Sequence, residues 1–237
     1  MPEVEQKCSL AKRSELFEGL PSSVCTNILS SARPREFMCR DVMFFAGDPI
    51  REVMLLTDGR VKITQLSENG TEVILQLTFP GKVVSPLALV PGRTHSSTAI
   101  ALQAGELLAW DAATFEAALE RFPALRRNAT SIMERRICEI EKRFCEISTG
   151  TASPRLASGV VRLLDQIGHK VNGHFEVNIS QEVLAEMTAM TSFTASRVLT
   201  NWEQQGLVNL RREVIEVRNV PGLLKLCQVK RSLLSEC

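Results

Sequence analysis

The chain has 237 residues, of which 44% are apolar and 23% charged, and its net charge is +1. That length accommodates one large domain or two of ordinary size, with a globular composition. No run of about 18 apolar residues is present, which argues against a membrane-spanning helix, and the near-neutral charge neither points to nor excludes nucleic acid, because phosphate contact depends on local charge.

The opening MPEVEQKCSLAKRSELF lacks the apolar core of a signal peptide, so a cytoplasmic location is expected. After residue 35 the pattern is β. Val42-Met43-Phe44-Phe45 precedes Ala46-Gly47-Asp48-Pro49, and Val53-Met54-Leu55-Leu56 precedes Asp58-Gly59. Val61-Lys62-Ile63-Thr64 and Glu72-Val73-Ile74-Leu75-Gln76-Leu77 flank Glu68-Asn69-Gly70. The Asp58-Gly59 and Asn69-Gly70 pairs read as hairpin turns. Residues 97–102 and 106–110 form a further pair joined by Gln103-Ala104-Gly105. Many short strands at this spacing predict a small antiparallel barrel or jelly roll.

The pattern turns helical from Asp111 to Ile147. Asp111 or Thr114 is placed to cap a short helix, and Pro123 suits the first turn of a longer one. Within the long helix Met133, Ile137, Ile140, Phe144 and Ile147 are spaced 4, 3, 4 and 3 apart, flanked by charges. Such a stripe packs on its own domain or pairs with a second copy as a two-stranded coiled coil; the length and flanking charge favour the dimer seam. Residues 148–154 have the composition of a hinge. A helix from Arg155 to Ile167 then buries Leu156, Val160, Leu163 and Leu164, with Gly168 as its stop. Phe175-Glu176-Val177 is a short strand, and a strand pair near Leu207-Val208 and Val214–Val217 follows two further helical patterns.

Those two patterns form a helix-turn-helix. Ser180 is positioned to cap the first helix, which buries Val183, Leu184 and Met187, with small Ala185 where helices approach. Ala189-Met190-Thr191 is a tight turn, and Thr191 caps the second helix, which buries Ala195, Val198, Leu199 and Trp202. Its outer face presents Ser192, Phe193, Ser196, Arg197 and Thr200. A helix bound for the major groove needs small polar groups for phosphates and longer ones for base edges. Arg197 suits guanine or phosphate, Ser192 and Ser196 suit phosphate or base, and Phe193 suits a thymine methyl. An ordinary helical hairpin with an exposed arginine fits the same segment. Arg211-Arg212 at a wing tip, where phosphates would pass, favours DNA.

Taken in order, these parts resemble the cyclic-AMP receptor/fumarate-nitrate regulator (CRP/FNR) family of bacterial transcription factors, over roughly residues 16–218. Phe45-Ala46-Gly47-Asp48 looks like the family's F-x-x-G-[DE] turn, Gly59-Arg60-Val61-Lys62 like its G-x-[VI]-[KR] turn, and Ser196-Arg197 like the pair in its recognition helix. The resemblance implies an α+β fold: an N-terminal double-stranded, jelly-roll-like β-roll sensor (1–110), linking and dimerisation helices (111–147), a hinge (148–153) and a winged helix-turn-helix (154–237). It implies a homodimer that answers an effector, with double-stranded DNA carrying a palindromic operator and RNA polymerase as partners. The alternative is a sensor or scaffold that keeps the β-roll without binding DNA. No G-x-S-x-G, P-loop, H-E-x-x-H or paired-carboxylate motif points to an enzyme.

The departures from the family are informative. Its cyclic-nucleotide branch holds the ribose with Gly-Glu and the phosphate with Arg-Ser; here those positions read Ser85-Pro86 and Ser96-Ser97 after Pro80-Gly81-Lys82. Loss of that arginine removes a charge-assisted pair worth about 1.5–3 kcal/mol, which argues against cyclic-AMP binding in the family's manner, although Arg93 is near enough in sequence to substitute. The effector candidates are therefore Lys82, Ser85, Arg93, His95, Ser96 and Ser97, with the effector itself unknown. The seven cysteines (Cys8, Cys25, Cys39, Cys138, Cys145, Cys227 and Cys237) lack the N-terminal clustering that an iron–sulfur sensor needs, and read as reduced thiols. Cys138 and Cys145 sit beside the seam, where a redox role is the alternative to inert thiols. His95 lies roughly where the family's haem sensors place a ligand, so haem is a weaker candidate beside a plain surface histidine. Many family members read cytosine with a glutamate where this chain has Phe193, so its operator half-site is expected to differ.

Overall fold

The computed structural model describes residues 14–68, 70, 72–85, 87, 92–171 and 173–227. Cys8, Asn69, Pro86 and Cys237 lie outside them. The chain divides into two compact units, one of residues 1–71 and 75–137, the other of residues 72–74 and 138–237.

The first described elements of this unit are a 3-10 turn, Glu15–Phe17, capped by the Ser14 hydroxyl, and the helix α1 (Ser22–Ser30). Its sheet contains β1 (Arg33–Phe37), β2 (Val42–Phe44), β3 (Glu52–Leu66), β4 (Glu72–Thr78) and β5 (Thr98–Asp111). The order is β1-β5-β3-β4, with β2 also on β5, and β5 runs antiparallel to β1, β2 and β3.

Two turns expected from the sequence are not turns. Asp58-Gly59 lies inside β3 and Gln103-Ala104-Gly105 inside β5, where the pairing register shifts at Leu56, Asp58, Arg60 and Val61. These are bulges, which bend a strand and raise its twist without ending it. The glycines are required by contact: a Cβ on Gly105 would lie 2.2 Å from the Asp58 carbonyl oxygen, and one on Gly59, at φ +84°, would lie 2.7 Å from that of Ala104. A D-G pair bounded by apolar runs carries the same signal whether the chain reverses or only kinks.

The continuous apolar run Val53-Met54-Leu55-Leu56 is buried on both faces. Val53 and Leu55 join a cluster with Leu16, Phe17, Ile28, Trp110, Phe115, Leu119, Leu125 and Ala129. Met54 and Leu56 join Phe37, Phe44, Val61, Ala99 and Leu107 inside the roll. Trp110 meets its polar need by donating to the Ile28 carbonyl at 2.7 Å.

The short helix α2 (Ala112–Arg121) begins at Asp111, whose carboxylate pairs with Arg33 at 2.6 Å and makes no cap hydrogen bond. The long helix α3 (Pro123–Thr149) starts on its proline, where no backbone donor is needed. One of its faces follows positions 125, 129, 132, 136, 139, 143 and 146. Leu125, Ala129 and Ile132 on that face are buried apolar groups. The face then becomes charged: Arg136 donates to the carbonyls of Val83 and Ser85, and Glu146 takes a two-pronged bond from Arg162 at 2.7 and 2.8 Å. Burial, and then neighbouring Arg162, push the Arg143 guanidinium down to about 10, against Glu139 and Glu146. The neighbouring stripe differs. Met133 packs partly on the first unit's core, while Ile137, Ile140, Phe144 and Ile147 are exposed.

In the second unit only Gly150 and Thr151 separate α3 from α4 (Ala152–Ile167). The break is shorter than residues 148–154 suggest, because Pro154 is accommodated in the first turn of α4. A sheet of β6 (His169–Val171), β7 (His174–Asn178), β9 (Val214–Val217) and β8 (Val208–Arg211) pairs in that order. The helices α5 (Gln181–Met187), α6 (Ser192–Gln204) and α7 (Val220–Leu226) complete the unit. Neither β6 nor α7 was expected; a three-residue strand, and a two-turn helix that begins Val-Pro-Gly, carry too little periodicity to read.

Candidate nucleic-acid interface

Two hydroxyls define where α5 and α6 start. Ser180 accepts from the Val183 amide at 3.2 Å and Thr191 from the Thr194 amide at 3.2 Å. Each satisfies a helix donor that would otherwise lack a partner. Between the helices Ala189 takes φ +51° and the Met190 amide bonds back to the Ala185 carbonyl at 3.1 Å, which makes the turn tight. Gly159 of α4 permits close approach to this corner: a Cβ there would lie 2.6 Å from Thr188 Cγ2.

The inner faces are buried through Leu184, Ala185, Met187, Ala195, Leu199 and Trp202, with Val183 and Val198 half-buried. Trp202 donates to the Ser153 hydroxyl at 3.2 Å, tying α6 to α4. That packing fixes what α6 turns outward. Ser192, Phe193, Ser196, Arg197 and Thr200 are all exposed, and Phe193 is 71% exposed. The Arg197 guanidinium carbon lies 5.7 Å from the centroid of the Phe193 ring, one helical turn away.

The wing is built differently. Glu213 takes φ +58° in the turn joining β8 and β9. Arg211 is held by Glu176 and, at 2.5 Å, by Glu216. Glu216 also takes bonds from Asn209 and Arg218, both at 2.9 Å, and its carboxyl lies below its ordinary range chiefly through the Asn209 bond. His174 lies 3.3 Å from Glu176 and 3.8 Å from Glu216. The atoms of His174, Glu176 and Glu216 are within 4.8 Å of one another, but arginines already occupy the carboxylates, so this is an ion network. The expected phosphate role divides accordingly: Arg211 is engaged within the wing, and Arg212 beside it is exposed with no ion pair among the described residues.

The effector candidates do not share one set of partners. Lys82 pairs with Glu15, which also holds Arg135 at 2.5 Å. Ser85 is fully buried, and its hydroxyl accepts from the Met54 amide at 3.0 Å. Arg93 and Ser96 are exposed and Ser97 half-buried. His95 is 4% exposed and stacked on Phe44 with ring centroids 3.6 Å apart, beside a cavity of about 490 Å³ lined also by Met43, Asp48, Arg51 and Glu52. It is therefore no surface residue. Burial pushes its imidazole down, against the opposing field of Asp48, and Nδ1 has no hydrogen-bond partner among the described residues. A ligating histidine is normally oriented by a bond from its other ring nitrogen, and the Met43 and Met54 sulfurs nearby are taken by Arg35. These residues do not fit a haem. The described cysteines, Cys25, Cys39, Cys138, Cys145 and Cys227, are not joined in disulfides, and burial pushes the Cys227 thiol up.

Two family models match the chain in tandem: a cyclic nucleotide-binding domain over residues 34–122 and a Crp-like helix-turn-helix domain over residues 154–226. The cyclic AMP receptor protein of Thermus thermophilus is 28% identical over 207 residues, covering 87% of this chain and 94% of its own. The global nitrogen regulator of Synechocystis is 26% identical over 185 residues, covering 76% and 82%. In fold the chain is similar to FixK2 of Bradyrhizobium japonicum, with a TM-score of 0.76 at 19% identity, over 84% of this chain and 98% of that one.

Proposed function

This chain belongs to the CRP/FNR family of DNA-binding transcription regulators, and from that premise we propose that it works as a homodimer on a palindromic operator. The carrying observation is the outward face of α6, where Ser192, Phe193, Ser196, Arg197 and Thr200 are all exposed opposite an inner face buried through Ala195, Leu199 and Trp202. Arg197 offers the bidentate fork that matches guanine O6 and N7. Ser192, Ser196, Thr200 and the capping Ser180 and Thr191 offer hydroxyls to phosphates, and Arg212 reaches a flanking phosphate from the wing.

The dimer reading rests on Ile137, Ile140, Phe144 and Ile147. Four of the eleven exposed large apolar side chains among the described residues lie on this one stripe of α3, and a contiguous apolar stripe of that kind marks an interface. A parallel pair of α3 helices, one from each protomer, would bury it and set two recognition helices about one DNA turn apart. The effector unit is proposed to act through α3, because Arg136 already joins the helix to the Val83 and Ser85 carbonyls. A ligand that rearranges this segment would shift the balance between two helix arrangements. We take the hinge at residues 148–153 to absorb that shift. With Ser85 buried and spoken for, cyclic AMP is not the proposed effector. The location is proposed to be cytoplasmic; among the described residues no helix is long and apolar enough to cross a membrane.

Binding to DNA selected from a random pool, followed across salt concentration, tests this reading. The expected result is specific binding whose affinity falls linearly with salt on logarithmic axes. Absence of binding at low salt, across candidate effectors, would defeat it.

A further inference from the structure

The exposed ring of Phe193 is the least explained group on the recognition helix. A lone exposed phenylalanine is ordinary on a protein surface, but this one is 71% exposed and carries the Arg197 guanidinium over its ring at 5.7 Å. The contact has a consequence for both residues. The ring restricts where the long arginine side chain can lie, which lowers the entropy lost when the guanidinium docks on a base. The arginine in turn keeps the ring on the helix's outward side, at its first turn, which is the part of a recognition helix that meets base edges.

Resting on the DNA-binding reading above, we infer that Phe193 and Arg197 act as one reading unit for a guanine with a thymine on the adjacent base pair. Arg197 donates two hydrogen bonds to guanine O6 and N7. Phe193, one turn nearer the helix start, packs on the C5-methyl group of the neighbouring thymine. That methyl is the one apolar feature of the major-groove edge, and an aromatic ring has nothing to offer a cytosine N4 donor. From Ser192 to Leu199 the helix has no carboxylate, so no acidic side chain there can accept from cytosine in Phe193's place. The specificity follows from the chemistry: the unit recognises a pyrimidine by its 5-methyl group. It therefore accepts 5-methylcytosine where it rejects cytosine, and it discriminates thymine from uracil.

The test uses the full-length protein. Half-sites are first enriched from randomised duplex DNA, and the thymine beside the enriched guanine is then replaced by deoxyuridine, cytosine or 5-methylcytosine. Deoxyuridine should weaken binding about fourfold per half-site, the equivalent of one buried methyl group. 5-Methylcytosine should bind better than cytosine by a similar factor. In Phe193→Ala the dependence on the methyl group should vanish, while in Phe193→Glu selection should switch that position to cytosine. Because Phe193 is exposed, both variants should melt with the parent, and a melting curve checks this. Equal binding of thymine and uracil by the parent, with specific binding intact, overturns the inference and leaves the DNA-binding reading standing. Absence of any enriched sequence or low-salt binding overturns both.

Discussion

The recognition helix and the wing of one small unit carry their arginines in opposite conditions. Arg197 has an aromatic ring for company and no carboxylate among the described residues, whereas Arg211 is held by two carboxylates, one of them on a buried glutamate. An arginine that is already paired must give up its partners before it can neutralise a phosphate; an unpaired one loses only its hydration. Two arginines in a basic-looking stretch are therefore not equivalent. The open one is available for sequence reading, and the clamped one holds the wing's strands in register.

The largest effect that bears on this contrast comes from outside both elements. If two recognition helices act together only because α3 pairs with its copy, then Ile140→Glu with Phe144→Glu should yield monomers. Affinity for a full palindrome should then fall by about 100-fold or more, since a linked second contact contributes 10²–10⁴. Sedimentation and fluorescence anisotropy on the same samples check both parts. Next in size, Arg197→Ala should cost about 1–3 kcal/mol at each half-site and relax base choice there, with unchanged thermal stability. Arg211→Ala should do the reverse, lowering the melting temperature of the winged unit while leaving base choice unchanged. Arg212→Ala should weaken all sequences alike and reduce the salt slope by about one per protomer. If Arg211→Ala and Arg212→Ala behaved identically in DNA binding, the contrast would be lost.

The smallest effects are those of pH on stability. Glu216 has a lowered carboxyl, so its contribution is present above about 4.5 and is lost as pH falls below it. His95 has a lowered imidazole, so the neutral form suits the fold. That stability is present above about 6.5 and is lost as pH falls through the lowered folded value. Melting curves at pH 7.5 and 5.5 should show a drop in the first unit that His95→Gln reduces.

The caps and the helix faces, including the exposed apolar stripe of α3, were legible because each is a local pattern. Ser180 and Thr191 stand one residue before their helices, and the apolar stripe of α3 repeats through four turns. What was not legible depends on partners distant in sequence. Asp58-Gly59 is a bulge because Gly105 lies against it. Arg136 and Arg143 read as charges flanking a seam, yet with Glu146 they continue the helix's inward face, where Arg136 meets Val83 and Ser85 and Glu146 meets Arg162. Arg211 read as a phosphate contact because nothing local reveals Glu176, thirty-five positions away. His95 read as a surface residue, and nothing local reveals the Phe44 ring it stacks on in its buried position.

The central claim, that two copies of this chain read DNA together through α6, is tested most directly by titrating the protein onto a selected palindrome and onto a single half-site across a range of salt. Two chains should bind each palindrome, far more tightly than the half-site, with a linear fall of log affinity with log salt. One chain per palindrome with half-site affinity, or binding that ignores salt, would contradict it.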